Sequence, residues 1–113
     1  MAGNYQELQA KMTWFKAATL DQLKERKKAL VCIQGLDILI VYDSGTVHAL
    51  ENICSHEDAS LFEGCIEGDD ILCPLHSWRF NYKTGSCLTG DDFDLPVYKT
   101  KIVNNTIWVD VEE

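Results

Sequence analysis

Cys54-Ser55-His56 and Cys73-Pro74-Leu75-His76 decide how this chain is read. They form a C-x-H box and a C-x-x-H box, with sixteen residues between His56 and Cys73. Each box offers one thiolate and one imidazole within a tight loop, so two boxes drawn together supply four ligands of two kinds. Such a set suits zinc, held by all four, or an iron–sulfur cluster. In a [2Fe–2S] centre the two thiolates can take one iron and the two imidazoles the other, which requires two loops approaching from opposite sides. Two hairpin ends facing each other meet that requirement.

Outward from the boxes the pattern is one of short strands and tight turns. Residues 13–18 read as a first strand entering the core through Trp14 and Phe15. Thr19 and Gln22 make a capping box for a short helix to about Arg26, with Leu20 and Leu23 facing inward. Residues 29–33 and 38–42 are rich in β-branched side chains and flank Gln34-Gly35-Leu36-Asp37, which predicts a hairpin. Asp43-Ser44-Gly45 turns the chain into a strand over 46–50 that ends just before the first box. Between the boxes, strands over 64–67 and 70–73 around Gly68-Asp69 deliver the second box at the end of a hairpin. Residues 78–82 continue as a strand, Lys83 to Ser86 turn back, and 88–95, with Gly90, Asp91, Asp92 and Asp94, read as a surface loop. Two strands over 97–103 and 106–111 enclose Asn104-Asn105, a strong two-residue turn. Ile107, Val109 and Val111 share one face of the last strand. The expected fold is all-β: a small antiparallel sandwich or barrel-like base, one short helix, and a two-loop subdomain for the ligands.

The boxes, with Leu61, Gly64, Gly68, Ile71, Pro74, Trp78, Phe80 and Gly85 around them, resemble the Rieske-type ferredoxins and the Rieske domains of ring-hydroxylating dioxygenases. The resemblance covers roughly residues 13 to 111. It implies one [2Fe–2S] cluster per chain, with Cys54 and Cys73 on the inner iron and His56 and His76 on the outer. Ser77 and Ala59 stand where the family often has glycine. The high-potential members carry an additional cysteine in each box, joined as a disulfide; Ala59 and Leu75 occupy those positions here, so that disulfide is absent. Those members also place a serine two residues and a tyrosine four residues after the second histidine, as hydrogen-bond donors to sulfur. Trp78 and Phe80 stand there instead, which implies a potential at the low end of the Rieske range, on the order of −150 mV.

Composition narrows the function further. A chain of 113 residues suits a single domain, here 12–113 after an N-terminal extension of 1–11, and leaves no room for a second catalytic domain. Only His48 lies outside the boxes, so a second site of two histidines and a carboxylate cannot be assembled. The expectation is a one-electron carrier and not an enzyme. By the resemblance it passes electrons from a flavoprotein reductase to a terminal oxygenase. The alternatives are a small-subunit-like partner of a nitrite reductase and a zinc-stabilised interaction module without redox activity. Absence of a long apolar run or a signal-peptide pattern predicts a cytoplasmic protein off the membrane, taken as a monomer.

Five cysteines, an odd number, argue against a disulfide framework, and Cys32, Cys65 and Cys87 are expected to be small buried apolar residues. His48 is expected to face solvent or make a hydrogen bond within its strand. Trp78 is expected beneath the second box and Arg79 paired with a carboxylate. The net charge of −8 divides into +2 over residues 1–42 and −10 over 43–113. The ligand-bearing part is the acidic one, which excludes phosphate backbones as partners and favours a basic docking patch on a protein.

Overall fold

The computed structural model describes residues 13–54, 59–75, 78–89 and 94–111. The 1–11 extension, His56, His76, Ser77 and Gly90 to Asp92 therefore lie outside the described residues. The chain runs β1 (Trp14–Thr19), α1 (Leu20–Arg26), β2 (Lys28–Ile33), β3 (Leu36–Asp43) and β4 (Thr46–Glu51) up to the first box. A single 3-10 turn (Leu61–Glu63), β5 (Cys65–Glu67) and β6 (Asp70–Leu72) lead to the second box. Beyond it come β7 (Arg79–Asn81), β8 (Val97–Val103) and β9 (Thr106–Asp110). The expected all-β class stands, and among the described residues there is one α-helix, as expected.

Six strands form an antiparallel sheet in the order β1-β9-β8-β4-β3-β2, and its edge strands β1 and β2 approach each other, so the sheet curls into a near-barrel. Turn chemistry sets its register. Gln34-Gly35, Ser44-Gly45 and Asn104-Asn105 all have positive φ at both positions, the requirement of a type I′ turn whose twist matches its strands. The first of these is a tighter hairpin than the four-residue turn the sequence suggests, because Leu36 and Asp37 already pair with Ile33 and Cys32. At the helix start Thr19 Oγ1 accepts from the Gln22 N–H and Gln22 Oε1 accepts from the Thr19 N–H, the expected capping box.

Strand β3 is buried on both faces: Ile38, Leu39, Ile40 and Val41 are all fully inaccessible. Ile38 and Ile40 point into the barrel with Leu23, Ile33, Val47, Ile107, Val109 and Val111. Leu39 and Val41, with Leu50, point outward into a second core against Leu61, Ile71, Phe80, Tyr82 and Leu95. Each such side chain contributes roughly 1.5–3 kcal/mol relative to exposure. The small sheet β5-β6-β7 thus sits on the outer face of β3 and β4, where a strand with one polar face would hold nothing.

Alternation along edge strands corrects three expectations. Phe15 packs into the barrel core, so its neighbour Trp14 points out, where the Lys101 ammonium lies 4.4 Å from its ring centroid. Cys32 is exposed because Val31 and Ile33 take the inward positions of β2, and Cys65 is exposed on β5, where Ile66 turns inward. Cys87 is half-buried against the outer core. The 88–95 loop ends in the core rather than on the surface, since Leu95 is buried and its N–H bonds Gly85 O at 2.8 Å.

Candidate metal centre

Both box cysteines lie in the outer core. Cys54 and Cys73 are 0% and 2% exposed and belong to one apolar cluster with Leu39, Leu61 and Phe80. Two loops of one design carry them there. The bridge between Ile53 and Ser60 encloses residues 54–59, and the pair Leu72–Arg79 encloses 73–78, six residues in each case. In each loop the cysteine N–H bonds the carbonyl five residues on: Cys54 N to Ala59 O at 2.8 Å, Cys73 N to Trp78 O at 2.7 Å. Each box is therefore closed at its base, with the thiol on the core side. His56 and His76, the other two expected ligands, lie outside the described residues.

Each loop is braced from below. Asn52, 1% exposed, is held through both backbone and side chain: its N–H bonds Asp37 O, its Nδ2 donates to Ser60 Oγ, and its Oδ1 and carbonyl accept from the N–H groups of Phe62 and Leu61. The Lys28 ammonium reaches from β2 to donate to the carbonyls of Phe62 and of Gly64, the latter at 2.6 Å, and lies over the Phe62 ring. Gly64 itself allows β5 to meet the end of β6, since a Cβ there would stand 1.8 Å from Leu72 O, one residue before Cys73. Sequence reading missed Asn52 and Lys28. An asparagine just past a strand and two residues before the first box was the available signal for the first, while nothing local marks the second.

Charge around the second box is paired within the small sheet. Arg79 Nη1 and Nη2 hold Asp70 at 2.9 Å and Glu67 at 2.8 Å, and hydrogen bonds to those carboxylates raise the guanidinium pKa. This matches the expected ion pair, as Trp78, half-buried against the outer core, matches its expected packing. Lys83 spans Asp69 at 3.2 Å and Asp43 at 3.6 Å. Buried Tyr82 donates to Asp43 Oδ2 at 3.0 Å; burial, then that bond, pushes its hydroxyl up to about 12, and the bond draws the Asp43 carboxyl down. His48 is half-buried: among the described residues its Nε2 is buried without a hydrogen-bond partner, its ring lies 5.4 Å from that of Tyr82, and burial lowers its pKa.

Two buried thiols in one apolar cluster, each at the base of a closed loop with a histidine in its box, fit a cluster that takes two thiolates on its inner side. Residues 13–99 match the Rieske [2Fe–2S] domain. The chain is 35% identical over 100 residues to the ferredoxin component of the naphthalene 1,2-dioxygenase/salicylate 5-hydroxylase systems of Ralstonia sp., spanning 88% of this chain and 96% of that one. It superposes on the ferredoxin of carbazole 1,9a-dioxygenase from Nocardioides aromaticivorans IC177 with a TM-score of 0.82 at 31% identity, covering 88% of this chain and 99% of that one. A complex of reduced oxygenase and oxidised ferredoxin in carbazole 1,9a-dioxygenase is similar at a TM-score of 0.81 and 26% identity, covering 89% of this chain and 95% of that one. The chain belongs to the Rieske [2Fe–2S] family, as a ferredoxin of the kind found in ring-hydroxylating dioxygenase systems.

Proposed function

We propose that the chain carries single electrons at low potential from a flavoprotein reductase to a terminal oxygenase, with Cys54, His56, Cys73 and His76 as the ligands of its [2Fe–2S] cluster. The observation that supports this most is the matched pair of six-residue loops that bring Cys54 and Cys73, both buried, to one apolar core. When bound, the cluster supplies one reversible electron site whose potential histidine ligation raises above that of an all-cysteine centre. The chain's residues do the rest. The apolar core keeps water from the thiolates, the closed loops hold their spacing, and Asn52 and Lys28 fix the first loop and its exit to the barrel.

At the second box Leu75 is 46% exposed and, beyond β7, Leu88 is 53% exposed, two apolar side chains offered to a partner. A complex between oxygenase and ferredoxin is known for a structural neighbour, which favours an oxygenase as the acceptor here. The carrier acts as a monomer in the cytoplasm; among the described residues no helix is long and apolar enough to cross a membrane. Stopped-flow reduction of the reconstituted protein by a flavoprotein reductase with NADH, then reoxidation on mixing with an oxygenase and its substrate, tests the reading. Coupled substrate turnover is expected. Reduction without any transfer to an oxygenase, together with rapid transfer to a nitrite reductase, would move the chain to that system.

A further inference from the structure

The barrel carries an aromatic and basic face on the side away from the ligand loops. Register sets it out in rows: Lys16, Trp108 and Lys101 lie side by side across β1, β9 and β8, and Trp14, Asp110 and Lys99 form the next row. The inward partners of these positions, Phe15, Ile107 and Val109, belong to the barrel core, so this is the outer surface. Both indoles are part-exposed, and Lys16, Lys99 and Lys101 are exposed. Round the six-strand ring β9 is three strands from β3 in either direction, and the small sheet sits on β3 and β4. The face is therefore across the barrel from Cys54 and Cys73.

Its charge runs against the rest of the molecule. Three lysines face one aspartate, whose Oδ1 already accepts from the Thr13 hydroxyl, in a chain of net charge −8. Among the described residues none of the three makes an ion pair, whereas Arg79 and Lys83 on the small sheet each hold two carboxylates. Lysines free of carboxylate partners among the described residues, one of them stacked on Trp14, around part-buried tryptophans have the make-up of a protein interface: rigid aromatic centres that lose little entropy, within charges that select the partner. An extended polyanion such as a bilayer or nucleic acid meets the repulsion of the whole acidic chain, while a local acidic patch on a protein does not.

We propose that the outer face of β1, β9 and β8, built on Trp14, Trp108, Lys16, Lys99 and Lys101, is a second docking surface for a protein that presents carboxylates around an apolar centre. A partner held there stands a full barrel from the cluster loops, so it does not exchange electrons through this face. It tethers the carrier and leaves the loops free to meet a donor or an acceptor. This goes beyond the carrier reading and does not depend on it.

The test titrates the cluster-loaded protein with a short tryptophan-free peptide rich in aspartate and glutamate around a central leucine, following isotope-labelled indole N–H signals. Saturable shifts are expected at Trp14 and Trp108 and not at Trp78, beside the second box. Affinity should fall with salt and by roughly tenfold or more in Lys16→Glu/Lys99→Glu/Lys101→Glu. The milder Lys16→Gln/Lys99→Gln/Lys101→Gln variant, with an unchanged cluster spectrum, separates lost docking from lost folding. No saturable shift, shifts at Trp78 alone, or equal binding by the glutamate variant would overturn the proposal. So would binding to phosphatidylglycerol vesicles in place of the peptide, which assigns the face to lipid. Concentration-dependent self-association that the glutamate variant abolishes would assign it to a second copy of the chain. Electron transfer plays no part in this titration, so its failure is distinct from failure of the carrier reading.

Discussion

Replacing Gly64 with alanine should disable the second box although the residue is no ligand. Gly64 has φ −85, which any residue adopts, so the cost is steric alone. An added Cβ would lie 1.8 Å from Leu72 O and 3.2 Å from Leu61 O, against ordinary contact beginning at 3.4 Å. Leu72 O must retreat by roughly 1.5 Å, and it cannot do so alone, because Leu72 pairs with Cys65 and Arg79 in the centre of the three-stranded sheet. A movement of that size breaks strand pairing and drags Cys73 with it. Overpacking of a well-packed site typically costs about 1–3 kcal/mol, and a lost backbone hydrogen bond with its buried group unsatisfied adds about 1–3 kcal/mol. Gly68→Ala is the control: it has φ +62 and no neighbour within 4 Å, so it should cost only about 1–2 kcal/mol from backbone strain. Urea unfolding of both variants, followed through the visible cluster absorption and far-UV circular dichroism, measures the difference. Gly64→Ala should lose cluster absorption at lower urea than Gly68→Ala, and bind less iron and sulfide on reconstitution. Equal midpoints for the two variants would refute the close approach of β5 to β6.

Lys28→Met keeps the stem and removes two charge-assisted bonds to the Phe62 and Gly64 carbonyls; a loss of about 1.5–3 kcal/mol is expected from the urea midpoint, and a change below the error of the midpoint would show the ammonium is spectator. His48 makes stability depend on pH. Its folded pKa lies below the unfolded 6.5, so its contribution is complete above 6.5 and is lost as pH falls from there toward the folded value. Unfolding measured between pH 8 and pH 5 should show a slope that His48→Phe flattens; the same slope in both proteins would place its origin elsewhere. Phe80 is fully buried in the core that holds both thiols, so the hydroxyl of Phe80→Tyr gains most by donating to a ligand sulfur. Redox titration should find its midpoint above that of the unchanged protein, with about 59 mV for a tenfold shift in the one-electron equilibrium. A midpoint of the unchanged protein above roughly +100 mV, high in the Rieske range, would contradict the low-potential assignment.

What was legible in the sequence was what depends on neighbours along the chain. The Thr19–Gln22 cap, the Asn104-Asn105 turn and the Ile107–Val109–Val111 alternation each need only a few adjacent residues, and each stands as read. The two boxes were legible because their spacing lies within single loops. What lay hidden depends on which surface covers which. The run from Ile38 to Val41 announces a strand buried on both faces, yet nothing local says that the small sheet forms the second cover. For the same reason Cys32 and Cys65 could not be told from core residues: each follows or precedes an apolar neighbour, and only the sheet order shows that their side of an edge strand faces out. Trp14 was misplaced inward because two adjacent aromatics cannot both face one core from a strand. Lys28 bonds carbonyls thirty-four and thirty-six residues away, a distance at which sequence offers no cue.

In the proposed centre two thiolates and two imidazoles share one [2Fe–2S] cluster. Pulsed electron paramagnetic resonance on the dithionite-reduced, reconstituted protein tests it most directly, alongside iron and sulfide analysis. Equal iron and labile sulfide are expected, with hyperfine coupling from two imidazole nitrogens, one coupling being lost in any cluster retained by His56→Cys and the other in any retained by His76→Cys. Bound zinc without sulfide, or a cluster with no nitrogen coupling, would contradict it.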